Sequence, residues 1–404
     1  MQLIVFCPPH VIFQHSAANW ASAIGPGGML VSSNTQAEEI AAHLGGKVEY
    51  RLFEHYQDNP LVEVDVCALV WELEAPLCVA LDEADVLRVA RINDRLGVSM
   101  GAEGRAMFYR DTFFMKQRAR NCGLAIADMA PLANATEALR FCEQFGFPVV
   151  IKPRHGRGWS GVEVIEDMAG LRQWLAQRTA STFHNLMIES HVRGDHYLVD
   201  GLYIEGRPIL LSPARVIATS LDCRAGKPRS LYMLDAGNPV RDELLRYARA
   251  LVEEVLPSEP TLLFQLEVRV TEDGEIALCQ IAMHQGDAFT HLELERAWGL
   301  DLRMTYLRAL RDVAYRPPPV PEPRLRVGHL SIAPRVGLLP DVPGECPLEG
   351  VLACRVSARR MICEREGEVF SATVSGPDDS TLRARLEQVE HWFDQHCDWS
   401  GVER

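Results

Sequence analysis

The chain has 404 residues, of which 47% are hydrophobic and 24% charged, and its formal net charge is -14. That length is too great for one ordinary core, so two or three domains are expected, and the composition is globular rather than disordered. The acidic balance argues against nucleic acid and anionic membrane as main partners, since both select a basic footprint; it is read as solubility.

The N-terminal MQLIVFCPPH has no basic n-region and no long apolar h-region, so it is not read as a signal peptide. No apolar run approaches the roughly 18 residues that suggest a membrane span. Gln2–Phe6 is expected as a strand, followed by a Pro-Pro turn, with further strands over 28–32 and 66–70. Over 85–96, Val86, Val89, Ala90 and Ile92 fall at helical spacing and Gly97 ends the run. Strands alternating with helices predict an α/β unit with a mostly parallel sheet over 1–110. The eleven cysteines are scattered without a CxxC pair and mostly have apolar neighbours, as at Cys67 and Cys279. Buried free thiols in a reducing, cytoplasmic compartment are the expectation.

A second unit is expected to begin at Asp111 and run to 315. Asn134 stands three residues before Glu137 and just ahead of Leu139, Phe141, Cys142 and Phe145, which predicts a capped amphipathic helix that Gly146 and Pro148 stop. Val149, Val150 and Ile151 follow as a buried strand ending in Lys152. A loop with Arg154, Gly156, Arg157, Gly158, Ser160 and Gly161 leads to a second strand through Val162, Val164 and Ile165. Glycines let backbone N–H groups approach phosphate oxygens, and the basic residues add charge. Because a strand and not a helix follows, the P-loop and dinucleotide fingerprints are excluded. A hairpin folding over a nucleotide fits, with an ordinary hairpin as the bland alternative. Residues 315–323 read YRPPPVPEP, a stiff connector. Beyond it strands and then a helix over 380–396 are expected.

The order of features resolves the loop. After the strand, lysine, glycine loop and second strand come LMIESHVRGDHYLVDG and then LLFQLEVRVTEDGEIALCQIAMHQGD. In this order, and over nearly its whole length, the chain resembles the ATP-grasp superfamily, particularly its L-amino-acid ligase type. The resemblance implies an α/β fold in three parts. These are an N-terminal pre-ATP-grasp domain over 1–110, a nucleotide clamp over 111–315 in two halves (111–188 and 189–315), and a small α+β lid over 316–404. It also implies an ATP-dependent ligase that joins a carboxylate, of an amino acid or another small acid, to an amine through an acyl phosphate. ATP and Mg2+ would be the cofactors, with Mn2+ as a substitute for the metal; homodimers are common in the family.

Residue by residue, the resemblance gives Lys152 the ATP phosphates and Glu189 the adenine amino group, with the backbone of His191 and Val192 completing the adenine contacts. Glu267 matches the first magnesium carboxylate. Several positions depart from the pattern. Thr112 replaces a phosphate-gripping lysine, with Lys116 one turn further on and Arg154 and Arg157 as other sources of charge. His196 replaces the ribose glutamate. Gln280 replaces the second metal carboxylate, and His284 an arginine. Asp287, where glycine is common, would restore a negative metal ligand. Arg215 is a candidate anion contact, Arg335 a candidate for a substrate carboxylate, and His191 and His284 candidate bases for the amine. Five departures around one nucleotide keep a second reading open: a degenerate ATP-grasp protein that binds nucleotide or a partner without turnover. A biotin carboxylase relative is the third.

Overall fold

The computed structural model describes residues 1–71, 73–98, 101–156, 160–218, 227–286, 288–319, 322–333, 337–338, 344–356, 361–362 and 368–397. The chain opens with β1 (Gln2–Phe6), α1 (Pro9–Phe13), α2 (Ala17–Ile24), β2 (Met29–Ser33), α3 (Ala37–Leu44), β3 (Glu49–Phe53), α4 (Leu61–Val70), β4 (Pro76–Ala80), α5 (Val86–Leu96) and α6 (Ala102–Arg110). The four strands form a parallel sheet in the order β3-β2-β1-β4. Side chains alternate between its faces. Leu3 and Val5 pack with Trp20 and Ile40 on one side, and Ile4 and Phe6 with Val62, Val66 and Ile92 on the other. The expected strand over 66–70 is therefore a correction: it is the second half of helix α4. β-branched residues favour a strand locally, but Val62, Val66 and Val70 recur every four residues and are all buried against the sheet, which only a helix achieves.

Next come α7 (Thr112–Asn121), β5 (Met129–Leu132), α8 (Ala135–Phe145), β6 (Val149–Pro153), β7 (Glu163–Ile165), α9 (Met168–Ala176) and β8 (Leu186–Ser190). The strands form an antiparallel sheet ordered β5-β8-β6-β7. Helix α8 starts as expected: the Asn134 side chain accepts the Glu137 N–H at 3.0 Å, and Gly146 leaves the helix at φ 78.

The remaining elements are β9 (Asp195–Ile204), β10 (Arg207–Ala218), β11 (Arg229–Met233), α10 (Arg241–Ala250), β12 (Leu262–Val270), β13 (Ile276–Ala282), α11 (Ala288–Trp298), α12 (Leu302–Arg311), β14 (Arg326–Ile332), β15 (Gly337–Leu338), β16 (Val351–Val356), β17 (Met361–Ile362), β18 (Phe370–Gly376) and α13 (Asp379–His396). Eight strands form one antiparallel sheet ordered β13-β12-β9-β10-β11-β14-β18-β16. Strands from beyond the proline-rich connector thus extend the sheet built by 195–282. One face carries the largest core, where Phe264, Leu266 and Val268 of β12 meet Leu244, Phe370 and Phe393. The alternate residues Gln265, Glu267 and Arg269 point the other way. The nine described cysteines are all unbridged, and five are buried. Among the described residues no helix is long and apolar enough to cross a membrane.

Gly201 of β9 lies opposite Phe264 of β12, and a Cβ there would stand 2.2 Å from the ring. Gly201→Ala is expected to lower stability by about 1–3 kcal/mol. In urea unfolding, its combination with Phe264→Leu is expected to cost less than the sum of the two single changes.

Candidate active site

The small sheet and the face of the large sheet bearing Glu267 enclose a cavity of about 80 Å3, which opens to a wider cleft of about 530 Å3 through shared residues Val164, His191 and Arg269. Lys152 enters from β6, Glu189 from β8 and Lys116 from α7. The Lys116 ammonium is 2.7 Å from one oxygen of Glu189 and the Lys152 ammonium 2.7 Å from the other. All three are largely shielded from water. Burial alone would push the Glu189 acid up, but the two ammonium groups outweigh it and hold it at about 2. Two cations on one anion leave the cluster net positive, the charge a polyphosphate needs opposite it. Lys116 therefore takes part in the site through Glu189.

Glu267 lines the same cavity, on the wall opposite the hairpin, with Gln280 as its register partner on β13. Its environment is the inverse of that of Glu189. Burial raises its acid to about 6, against the pull of Lys152 and Arg229, and Glu83 adds to the rise. His196 Nε2 stands 4.0 Å from it. A buried carboxylate without a bonded ammonium is a carboxylate that favours a cation, and with the amide oxygen of Gln280 beside it the donor set is hard oxygen. That chemistry fits Mg2+ held chiefly by phosphates.

Asp111, at the start of α7, organises the base of the glycine loop. Its side chain caps α7 through the N–H groups of Phe113 and Phe114. It also takes two bonds from Arg154, at 3.2 and 2.5 Å, and one from His155 at 3.2 Å. Burial raises the Asp111 acid, and these donors more than offset the rise, leaving it at about 2. Arg154 also lies over the rings of Phe113 and Phe114. Its charge is thus spent largely on Asp111. The Thr112 N–H donates to the Arg154 carbonyl at 2.9 Å. Gly161 adopts φ 73, and a Cβ there would meet the Pro153 ring at 2.9 Å, so the return of the loop requires glycine. Gly156 and Ser160 flank the loop; Arg157 and Gly158 lie outside the described residues, as do Asp287 and Arg335.

Sequence reasoning missed two residues. Arg110 donates to the carbonyls of Gly156 at 2.8 Å and His155 at 3.0 Å, and to Glu83 at 3.1 Å. Glu83 follows β4 and comes within 3.9 Å of His284 Nε2. The available signal was position: an acidic pair, Asp82-Glu83, just beyond the carboxyl end of a parallel strand, where open α/β sheets place ligands. His284 also bonds the Gln285 carbonyl through Nδ1 at 2.7 Å. Two expected residues are already engaged by neighbours. Arg215 lines its outer part, bonded to Asp195 at 2.7 Å. The His191 N–H is committed to the Pro148 carbonyl at 3.1 Å, which leaves only its carbonyl and Val192 for a base.

Two sheets gripping a cleft, preceded by a parallel α/β unit, are the ATP-grasp fold, and this chain has it. Residues 111–197 match the family model described as carbamoyl-phosphate synthase L chain, ATP binding domain. The L-arginine-specific L-amino acid ligase of Bacillus subtilis is 21% identical over 309 residues, covering 72% of this chain and 73% of that protein. The crystal structure of L-amino acid ligase from Bacillus licheniformis superposes with a TM-score of 0.75 at 14% identity, covering 99% of this chain and 98% of that one. The biotin carboxylase domain dimer of Hydrogenobacter thermophilus 2-oxoglutarate carboxylase, bound to MgADP, ADP and bicarbonate, gives 0.66 at 15% identity, covering 100% and 91%.

The depressed Glu189 acid makes stability pH-dependent. A carboxyl whose folded value lies below the unfolded 4.5 contributes stability that is present above 4.5 and lost as the pH falls toward about 2. Glu189→Gln is expected to flatten the acid limb of the stability profile, measured by urea unfolding between pH 7 and 3, and to leave the two ammonium groups facing each other.

Proposed function

We propose that this chain is an ATP-dependent ligase that joins the carboxylate of an amino acid or other small acid to an amine. The observation that carries this reading is one cavity lined by the Lys116–Glu189–Lys152 cluster on one side and by Glu267 on the other. The ligases among the similar proteins support it. In the reaction a substrate carboxylate oxygen bonds to the terminal phosphorus of ATP, the bond to the bridging oxygen breaks, and ADP leaves. The amine nitrogen then bonds to the acyl carbon of the acyl phosphate, inorganic phosphate departs, and the ammonium proton passes to a base.

The residues serve this in stages. Lys152 and Lys116 set a positive wall for the phosphates, and Glu189 has the acceptor oxygens for an adenine amino group. Bound Mg2+, held by Glu267 with Gln280 and Asp287 as candidate further ligands, would offset phosphate charge. Arg110 fixes the base of the glycine loop, so that the hairpin can exclude water from the acyl phosphate. Glu83 and His284, 3.9 Å apart, would receive the amine and its proton. Arg215 and Arg335 are kept as anion contacts, and His196 as the ribose contact. The proposal includes the division at 110/111 and 315/316, a cytoplasmic setting, small-molecule partners, and a homodimer.

A second reading, a nucleotide binder without turnover, is favoured by Thr112 and Gln280, and by the commitment of Arg154 to Asp111. Incubation with Mg-ATP and pools of amino acids is expected to yield ADP with new amide masses. ADP absent with every pool, alongside a thermal shift with Mg-ATP, would establish the second reading. Lys152→Ala is expected to abolish turnover. Gln280→Glu is expected to lower the Mg2+ concentration for half-maximal rate by about tenfold, the effect of roughly 1.4 kcal/mol from an added charged ligand.

A further inference from the structure

Away from the cleft, His15, His291 and Asp301 converge. His15 lies between α1 and α2, His291 is on α11, and Asp301 caps α12 by accepting the Met304 N–H at 3.0 Å. One ligand atom from each lies within 4.8 Å of the others. His15 Nδ1 is 2.9 Å from Asp301 Oδ2, and the two imidazole rings are 4.6 Å apart. Both histidines are more than nine-tenths buried, at 3% and 1% exposure. Yet among the described residues neither ring nitrogen of His291 has a hydrogen-bond partner, nor does Nε2 of His15. Glu295 Oε2 stands 3.8 Å from His291 Nε2.

Buried polar nitrogens ordinarily find partners, and a His291 ring with none at either nitrogen asks for a ligand. Two imidazoles and a carboxylate at this spacing are the donors of a tetrahedral zinc site, and they suit a borderline transition metal over Mg2+. Charge is consistent as well. The carboxylates of Asp301 and Glu295 bring two negative charges against the one positive charge of Arg303, which is bonded to Gln14 and the Gly286 carbonyl. We propose that His15, His291 and Asp301 bind one zinc ion, with the fourth position taken by Glu295 or water. The ion would tie the N-terminal unit, through the turn between α1 and α2, to α11 and α12, and would be distinct from any metal held by phosphates at Glu267.

The test uses the full chain purified without a metal-affinity tag. Elemental analysis is expected to give about one zinc per chain, retained in excess Mg-ATP, and stripping with a chelator is expected to lower the melting temperature, with recovery on adding Zn2+ and not Mg2+. Replacement by Co2+ is expected to give the visible absorption of a tetrahedral cobalt centre. His291→Gln and Asp301→Asn, the latter able to keep the helix cap, are each expected to bring zinc to background in a chain that native mass spectrometry shows folded. Wild-type protein with background zinc and no melting response to Zn2+ or Co2+ overturns the site. So does zinc that stays at one equivalent in either variant.

Discussion

One carboxylate held between two ammonium groups constrains the whole cleft. Burying Glu189, Lys116 or Lys152 alone would cost several kcal/mol; together they are tolerated because each oxygen of Glu189 meets a charged donor at bonding distance. The three side chains come from α7, β6 and β8. Their pairing therefore fixes the register of the small sheet relative to the helix that leads into it. The same geometry presents a positive wall to whatever anion enters.

The second acid of the cavity is defined by contrast. Glu189 is pushed down by bonded cations, and Glu267 is pushed up because burial outweighs the more distant Lys152 and Arg229. Two glutamates in one cavity thus have opposite affinities, one already satisfied and one open to a cation. This difference arises from strand placement: Glu189 lies beside the strand bearing Lys152, and Glu267 lies across the cavity beside Gln280.

Lys152, Glu189 and Glu267 are picked out through the resemblance to the ATP-grasp superfamily, which rests on the order of their strands along the chain, and the three line one cavity. The capped helix α8 and the hairpin β6–β7 were legible from their local patterns. Helix α4 was misread because its β-branched residues are locally strand-like, and only packing against the parallel sheet decides otherwise. Arg110 gave no local signal and Glu83 only its place after a strand, because their partners are remote in sequence: loop carbonyls for one, His284 for the other. The roles of Arg154 and Lys116 were partly legible. Their charges are plain in the sequence; their engagement by Asp111 and Glu189 is not. His15, His291 and Asp301 follow no ligand spacing at all, so only the fold brings them together.

The continuity of the eight-stranded sheet has a consequence for the last part of the chain. β14 covers the outer edge of β11 along Arg229–Tyr232, and β18 covers β14 in turn. Were these strands taken away, β11 would present a row of unpaired backbone donors and acceptors beside apolar Leu231 and Met233, a template for sticking to other chains. The strands β14 and β18 thus close an edge that the sheet would otherwise leave open to pairing.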